Sequence, residues 1–202
     1  MLFAHPFEGR SARRYAAGER PGFGDLDDRL LDAWTAPIER SRTLLEVGCG
    51  PATFAQRAAA RFPHLGVIAL DPSRDFARHH ASIHVARAAG EALPLASASI
   101  DAAICLSSIR HVRDRGAVLR ELRRVVRGAL WIVELDPAAS RARIAAHADR
   151  MSSPWSRRTF GPIVVRMAPP AAAIEASATA AGWQVMARRE DPIQPVYIME
   201  LA

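Results

Sequence analysis

A short apolar run followed by two glycines is the feature that most constrains how this chain can fold. Residues Thr43–Val47 have the length and character of a buried strand, and Gly48 and Gly50 follow at once. Because glycine has no Cβ, such a turn lets a ligand approach the backbone closely. Asp71 ends the next apolar run, 21 residues after Gly50, where a second-strand carboxylate would bind a nucleotide ribose. The pattern predicts a nucleotide-type cofactor.

The residues around the glycines favour one class of cofactor. A dinucleotide places its pyrophosphate at a helix N-terminus, and the carboxylate of Glu46, just before the glycines, would repel that group. The octapeptide at 46–53, Glu-Val-Gly-Cys-Gly-Pro-Ala-Thr, resembles the cofactor loop of class I S-adenosylmethionine-dependent methyltransferases, in particular the small-molecule type 11 group. An acid there suits the ammonium of the cofactor's methionine part.

The resemblance continues in uninterrupted order over roughly residues 40–136. Residues 90–95 resemble the family's segment around the adenine, 99–106 its fourth strand, 109–114 the turn after that strand, and 119–128 the helix and turn before the fifth. The resemblance implies S-adenosylmethionine-dependent methyl transfer to a small-molecule acceptor, with S-adenosylhomocysteine as the product.

Alternation of short apolar strands with helical segments predicts an α/β fold. The resemblance specifies a Rossmann-like three-layer sandwich, with a mostly parallel seven-stranded sheet whose last strand is antiparallel. Strands are expected at 43–47, 65–70, 83–86, 100–106, 129–135, 183–189 and 196–201. Helices are expected at 27–38, 52–62, 73–80, 114–126 and 171–181.

The length of 202 residues predicts a single domain. Within it we expect an N-terminal arm at 1–40, with a loop or lid at 13–23, and a cofactor-binding core at 41–136. A variable substrate-facing segment at 137–170 is followed by a C-terminal helix and strand hairpin at 171–202.

The charge and composition of the chain limit the kinds of partner that we expect for it. The net charge is +6, but the basic residues are all arginine and are dispersed, with no aromatic-interleaved basic stripe; no nucleic-acid partner is expected. No apolar run approaches the roughly 20 residues of a membrane span, and the N-terminus lacks signal-peptide character. Cys49 and Cys105 have no metal-ligand spacing. We expect a reduced, cytoplasmic protein without a membrane partner or a metal.

The resemblance also assigns cofactor-binding residues. Glu46 is expected near the methionine ammonium, or else it caps local amides; Asp71 is expected to accept the ribose hydroxyls, or else it caps the following helix. Two departures stand out: Ala52 replaces the family's third glycine, and Ala89 replaces an acid that binds the adenine. The lost hydrogen bond costs on the order of 1 kcal/mol. The full predicted set is Glu46, Gly48, Cys49, Gly50, Asp71, Pro72, Gly90, Glu91 and Leu106.

Methyl transfer is an in-line displacement that alignment can largely accelerate, although an oxygen acceptor usually needs a base. The base candidates are His111, which has a structural alternative, and His5 and His147. Tyr15 is expected near the methyl group, or else it packs the arm onto the core. The predicted acceptor-site residues are Ser107, Ser108 and Trp155. His79 and His80 are adjacent and diverge by about 100° on a helix, so they predict no metal site.

Two other functions stay open. An RNA methyltransferase is disfavoured, because residues 106–109 lack the Asp/Asn-Pro-Pro-aromatic signature that positions a base amine. A non-methylating, methyltransferase-like binding protein has Ala89 as its support. The sequence leaves open the acceptor, its reacting atom, the use of a base and the oligomeric state.

Overall fold

The computed structural model describes residues 7–17, 23–77, 83–151 and 153–202. Seven strands within these ranges form one sheet in the order β3-β2-β1-β4-β5-β7-β6. They are β1 Thr43–Val47, β2 Gly66–Asp71, β3 Val85–Arg87, β4 Ile100–Leu106, β5 Val126–Leu135, β6 Val185–Glu190 and β7 Val196–Leu201. β1 to β5 are parallel, and β7 is antiparallel to both of its neighbours. The predicted sheet with an antiparallel last strand is confirmed.

Helices cover both faces of this sheet. They are α1 Gly9–Ala17, α2 Leu26–Ala33, α3 Thr35–Glu39, α4 Thr53–Arg61, α5 Arg74–Ala77, α6 Arg115–Val125, α7 Arg141–Asp149, α8 Pro154–Thr159 and α9 Ala171–Ala180. A 3₁₀ turn at Ile109–His111 follows β4, and a π-helical segment at Phe160–Val165 follows α8.

The buried central strands explain the three layers. Along β4, Ala102 and Ile104 pack into the cluster that also holds residues of α2 and α4, while Ala103 and Cys105 pack into the cluster of α6 and α9. Alternate side chains of a strand point to opposite faces, so a strand covered on both faces is apolar throughout. The apolar runs of the sequence are therefore the interior strands of this sheet.

Several element boundaries differ from the prediction. The loop expected at 13–23 is helical as far as Ala17, because its arginine and alanine residues are good helix formers; residues 18–22 lie outside the described ranges. The single helix expected at 27–38 ends at Ala33, and α3 begins at Thr35. Pro37 is the reason, since it cannot donate to the Ala33 carbonyl and its ring clashes there.

The start of β5 is a second correction. The sequence suggested a turn at Gly128 before a strand at 129–135, but β5 already begins at Val126. A Cβ on Gly128 would lie 2.2 Å from the Asp101 carbonyl oxygen. This glycine lets the two strands approach closely beside the register shift between Ile100 and Ala102, so it lies inside the strand.

The loop after β3 is held against α6 by hydrogen bonds with an ion pair that lies within that helix. Glu121 accepts hydrogen bonds from the Leu93 amide and from Arg124, whose guanidinium also donates to the Leu93 and Leu95 carbonyls. The hydrogen bond from Arg124 is the main reason that the pKa of Glu121 is lowered, to about 2. This clamp holds the segment that the sequence resemblance assigns to the adenine.

This lowered pKa predicts a pH-dependent stability difference. A depressed carboxylate pKa stabilises the fold above the ordinary value of 4.5, and that stabilisation is lost as the pH falls towards 2. Glu121→Gln should therefore be less stable than the wild type at neutral pH, and the difference should shrink through this acidic range. Urea unfolding at a series of pH values measures it. Glu39→Gln, at an exposed position, serves as the control; a pH-independent difference for Glu121→Gln would contradict the prediction.

Within the described ranges, no helix combines the length and the apolar character needed to cross a membrane.

Candidate functional site

A cavity of about 760 Å³ lies at the carboxyl ends of the parallel strands. Gly48, Asp71, Leu106 and Leu135, which end or directly follow β1, β2, β4 and β5, contribute to its wall. The strand order reverses between β1 and β4, and open α/β sheets bind ligands outside such a switch point. The volume is in the range of small-molecule sites. The topology thus places the candidate site where the glycine loop predicted it.

The backbone amides of the glycine loop are directed inwards, towards the protein itself. The amides of Gly48 and Cys49 donate to the Leu70 carbonyl at 2.8 and 3.1 Å, and the Gly50 amide donates to Asp71 Oδ2 at 2.8 Å. The next residue is a proline, and the amide of Ala52 donates to the Cys49 carbonyl at 2.9 Å. The loop therefore presents backbone carbonyls to a ligand rather than a cluster of N–H donors.

Two features of the structure, the backbone angle and a close neighbour, require a glycine at position 48. Its φ of +70° lies in the left-handed region, which a residue with a Cβ adopts at a cost. A Cβ built on it would lie 2.5 Å from the Ser108 Cβ, in the turn after β4. The Ser108 hydroxyl donates to the Val47 carbonyl at 2.8 Å. The turns after β1 and β4 therefore interlock, and the cavity wall that they share is fixed in position.

Asp71 is buried at the cavity wall with both carboxylate oxygens engaged. Oδ2 accepts from the Gly50 amide and Oδ1 from the Ser73 amide, each at 2.8 Å. Burial raises the pKa of Asp71, although these two hydrogen bonds act in the opposite direction. The carboxylate ties the glycine loop to the end of β2, and each oxygen keeps a second lone pair for a ligand hydroxyl.

Glu46 lies away from the cavity wall. Its side chain is buried, and Oε2 accepts a hydrogen bond from the Ala55 amide in the first turn of α4 at 3.0 Å. The structure shows a local contact: the carboxylate accepts from one amide in the first turn of α4 and complements the positive end of that helix dipole. The expected role near the methionine ammonium stays a prediction. Negative charge at this helix N-terminus disfavours a second anion beside it.

The turn after β4 is held by a buried ion pair. Arg110 pairs with Glu134, whose carboxylate also accepts from the Arg110 and Leu135 amides at 3.2 and 2.8 Å. The Arg110 guanidinium donates to the Ser107 hydroxyl at 2.6 Å. Ser107 has a φ of +57°, and this set of contacts holds it there. Ser107 and Arg110 contribute to the cavity wall, so Glu134 shapes the cavity through them.

Aromatic rings close the end of the cavity beside Gly50. Phe7 and Tyr15 stack with ring centroids 5.6 Å apart, and Phe76 lies 6.2 Å from Tyr15. His111 packs edge-on against Phe7 at 5.7 Å. A Cβ on Gly50 would lie 3.7 Å from the Tyr15 ring. Tyr15 therefore packs α1 onto the core and also lines the cavity, and its expected place near the methyl group stays a prediction.

The opposite wall comes from α7, α8 and the π-helical segment. His147 is buried there, stacked face to face on Phe160 with centroids 4.3 Å apart. Trp155 lies at the rim with 73% of its surface exposed. Segments of π-helix occur frequently at functional sites. The other lining residues of this wall are Met151, Ser156, Thr159 and Val164.

The structure brings most of the predicted site residues to this one cavity. Those that line it are Tyr15, Gly48, Cys49, Gly50, Asp71, Pro72, Gly90, Glu91, Leu106, Ser107, Ser108, His111 and Trp155. Glu46 is the exception. His5, His79 and His80 lie outside the described residues.

Sequence reasoning missed Glu134, Arg110 and Gln194. The acid at 134 interrupts an apolar strand, which was a usable signal of a buried pair. Gln194 carried no signal, since it contacts His147 from a loop 47 residues away.

The chain is similar in sequence to known methyltransferases over part of its length. Residues 45–132 match a family model described as a methyltransferase domain. An uncharacterized protein of Mycobacterium tuberculosis is 39% identical over 85 residues, which are 41% of this chain and 27% of that protein. An uncharacterized methyltransferase of Mycolicibacterium gilvum is 32% identical over 133 residues, 63% of this chain and 51% of that one. The chain thus spans about a quarter to a half of these curated relatives.

Solved structures match over almost the whole chain. An S-adenosylmethionine-dependent methyltransferase from Aquifex aeolicus aligns with a TM-score of 0.71 and 14% identity, covering 94% of this chain and 95% of that one. A Thermotoga maritima methyltransferase described as a possible histamine N-methyltransferase aligns with a TM-score of 0.65 and 16% identity, covering 94% and 93%. At these identities the likeness shows the fold.

Proposed function

We propose that this chain, whose residues 45–132 match a methyltransferase-domain model and whose fold matches that of S-adenosylmethionine-dependent methyltransferases, transfers a methyl group from S-adenosylmethionine to a small-molecule acceptor. A cytoplasmic location and a substrate-facing role for residues 137–170 belong to the same proposal. The proposal about the activity of the whole protein rests on the cavity and its lining residues.

The observation that carries the proposal is the direction of the loop amides between Gly48 and Ala52. A dinucleotide site needs N–H donors and a helix N-terminus for its pyrophosphate. Here the amides are bound within the protein, and Glu46 sits under the N-terminus of α4. S-adenosylmethionine has a ribose but no phosphate, so it matches a loop of this kind.

The lining residues fit the parts of this cofactor. The carboxylate of Asp71 would accept from the ribose hydroxyls, and the segment at 89–91 would lie against the adenine. Gly48 and Gly50 would allow the methionine and ribose parts to approach the backbone. When bound, S-adenosylmethionine supplies an electrophilic methyl group on a positively charged sulfur. The protein's part is to hold the acceptor in line with it and to exclude water.

A small acceptor is supported by the lining of the cavity. Rings at 7, 15 and 76 close one end, and the wall of α7, α8 and the π-helical segment stands opposite. The turn at 106–109 lines the cavity with two serines and the apolar Leu106 and Ile109, and it presents no Asp or Asn side chain to a base amine. These features favour a small molecule over RNA.

Calorimetric titration tests the cofactor assignment. S-adenosylmethionine and S-adenosylhomocysteine should both bind, and NAD should not bind at the same concentration. Because Ala89 lines the cavity without an acidic group, we expect an affinity a fewfold weaker than with a hydrogen-bonded adenine. If neither sulfur compound binds at millimolar concentration, the methyltransferase proposal is wrong, whereas binding without transfer to any acceptor would favour the non-methylating binding protein.

Asp71→Ala should weaken S-adenosylhomocysteine binding by at least about tenfold, because two hydrogen bonds to the ribose are lost. Asp71→Asn should lose less, since it keeps one acceptor oxygen. Asp32→Ala, an exposed carboxylate on α2, should bind like the wild type. Burial raises the pKa of Asp71. When the pH is lowered, the wild-type affinity should therefore begin to decrease at a higher pH than it would if Asp71 had the ordinary pKa of an aspartate. Unchanged affinity in Asp71→Ala would contradict the assignment.

A further inference from the structure

Three large apolar side chains are exposed along one side of the helical stretch at 154–167. This stretch consists of α8 and the π-helical segment, and the Met167 amide, which donates to the Ile163 carbonyl at 3.1 Å, extends it by one turn. Trp155, Ile163 and Met167 are 73%, 41% and 49% exposed. They are spaced by eight and four residues, and residues four apart are neighbours on a helix surface. Together they form an apolar stripe.

The other side of the same stretch is fixed to the protein. Phe160, Val165 and Ala168 are buried in the cluster that also holds residues of α2, α4 and β5. The stretch is therefore anchored by one side, and the fold makes no use of the apolar stripe on the other. A single exposed apolar residue is ordinary, whereas a group of them on one surface marks a site of interaction.

The residues beside the stripe carry positive charge that no carboxylate neutralises. Arg157, Arg158 and Arg166 are exposed, and the sequence from 150 to 174 contains four arginines and no acidic residue. Within the described ranges no ion pair involves these three arginines, whereas the exposed arginines of α4 pair with aspartates of α2. An anionic surface is the complementary partner.

The combination of the stripe and the arginines favours a membrane surface over a nucleic acid. Helices that lie in the plane of a membrane interface present Trp and aliphatic side chains beside Arg or Lys, and Trp prefers the level of the lipid headgroups. A groove for single-stranded nucleic acid uses several aromatic rings on which successive bases stack. This surface has one aromatic ring, that of Trp155, and its other apolar members are the aliphatic Ile163 and Met167.

We propose that the exposed side of residues 154–167 binds the surface of membranes rich in anionic lipids. Trp155, Ile163 and Met167 enter the headgroup region, and the arginines contact lipid phosphates. The sequence predicted no membrane partner because it has no spanning run, but binding at the surface needs none. Trp155 also stands at the rim of the cavity, so the bound protein turns the cavity entrance towards the bilayer. The inference does not depend on the proposed methyl transfer.

Co-sedimentation with lipid vesicles tests the proposal. The wild type should bind vesicles made of equal parts of phosphatidylcholine and phosphatidylglycerol, should bind phosphatidylcholine alone much more weakly, and should be released by salt. Arg158→Gln with Arg166→Gln should lower the affinity by at least about tenfold, because each arginine near an anionic surface contributes roughly fivefold. Trp155→Ala should lower it by at least about fivefold, because the largest apolar group of the stripe is lost.

The control changes the same kinds of residue elsewhere on the surface. Met186 and Arg189 are exposed on β6, and Met186→Ala with Arg189→Gln should bind vesicles like the wild type. A wild type that does not bind the anionic vesicles, or an equal loss in this control, would overturn the proposal. A single-stranded RNA oligonucleotide is titrated in parallel; if the wild type binds it through Arg158 and Arg166 and does not bind the vesicles, the surface recognises nucleic acid and the proposal is wrong.

A second readout uses the wild type alone and so does not depend on the folding of any variant. Anionic vesicles that contain a phosphatidylglycerol with a photoactivatable group in its acyl chain are illuminated with the bound protein, and the adducts are located by mass spectrometry. They should fall within residues 154–167. Adducts confined to other parts of the chain, or none at all, would contradict the proposal.

Discussion

Gly48→Ala is expected to lower the free energy of unfolding by about 2–5 kcal/mol. About 1–2 kcal/mol arises because alanine must adopt a φ of +70°. A further 1–3 kcal/mol, roughly, arises because the new methyl group meets the Ser108 Cβ at 2.5 Å inside an interlocked pair of turns. Urea unfolding measures the loss. S-adenosylhomocysteine binding should weaken as well, since both turns belong to the cavity wall.

Two variants separate the contributions. Gly182→Ala has the same backbone problem, with φ at +87°, but its Cβ would have nothing within 4 Å, so it should show the conformational cost alone. Ser108→Gly in the Gly48→Ala background removes the clashing atom and should recover part of the loss. If Gly48→Ala costs no more than Gly182→Ala, the contact with Ser108 is not a constraint.

Glu134→Ala should cost about 3–5 kcal/mol of unfolding free energy. The carboxylate is fully buried, and removing it leaves the Arg110 guanidinium, whose side chain is only 14% exposed, without its counter-charge. The amides of Arg110 and Leu135 also lose their acceptor. Because Arg110 binds the Ser107 hydroxyl, the turn after β4 should loosen and affinity for S-adenosylhomocysteine should fall. Unfolding curves and calorimetry on the same sample measure both effects.

The control for Glu134 is an exposed ion pair. Glu175 pairs with Arg188 at 3.3 Å with both side chains about half exposed, so Glu175→Ala should change stability by at most about 1 kcal/mol. Replacing both buried partners, Glu134→Leu with Arg110→Met, should restore much of the stability, because no charge is then left unpaired. A Glu134→Ala cost as small as that of Glu175→Ala would show that the pair is not electrostatically coupled.

The position of the glycine loop and of Asp71 at the cavity could be predicted from the sequence because the signals are local. Gly48, Gly50 and Asp71 lie at the ends of two adjacent strands, and their spacing along the chain reflects a single strand–helix–strand unit. The bounds of β1, β4 and β7 were predicted for the same reason, since each is an apolar run that ends in polar or small residues.

The buried polar contacts behind the cavity wall could not be predicted, because they join distant parts of the chain. Glu134 and Arg110 come from different elements, 24 residues apart, and His147 meets Gln194 across 47 residues. Each residue alone is an ordinary polar side chain. For Glu46 the sequence left open a ligand contact and a local cap. The packing of α4 onto β1 brings its carboxylate to the Ala55 amide, and the ligand contact stays a prediction.

The four tryptophans of this chain differ sharply in their surroundings. Trp34, Trp131 and Trp183 are at most 3% exposed, whereas Trp155 stands 73% exposed at the rim of the cavity. Fluorescence that iodide quenches therefore comes mainly from Trp155. The protein carries its own optical reporter at the entrance to the site, and unlabelled compounds can be screened by their protection of that emission before the natural acceptor is identified.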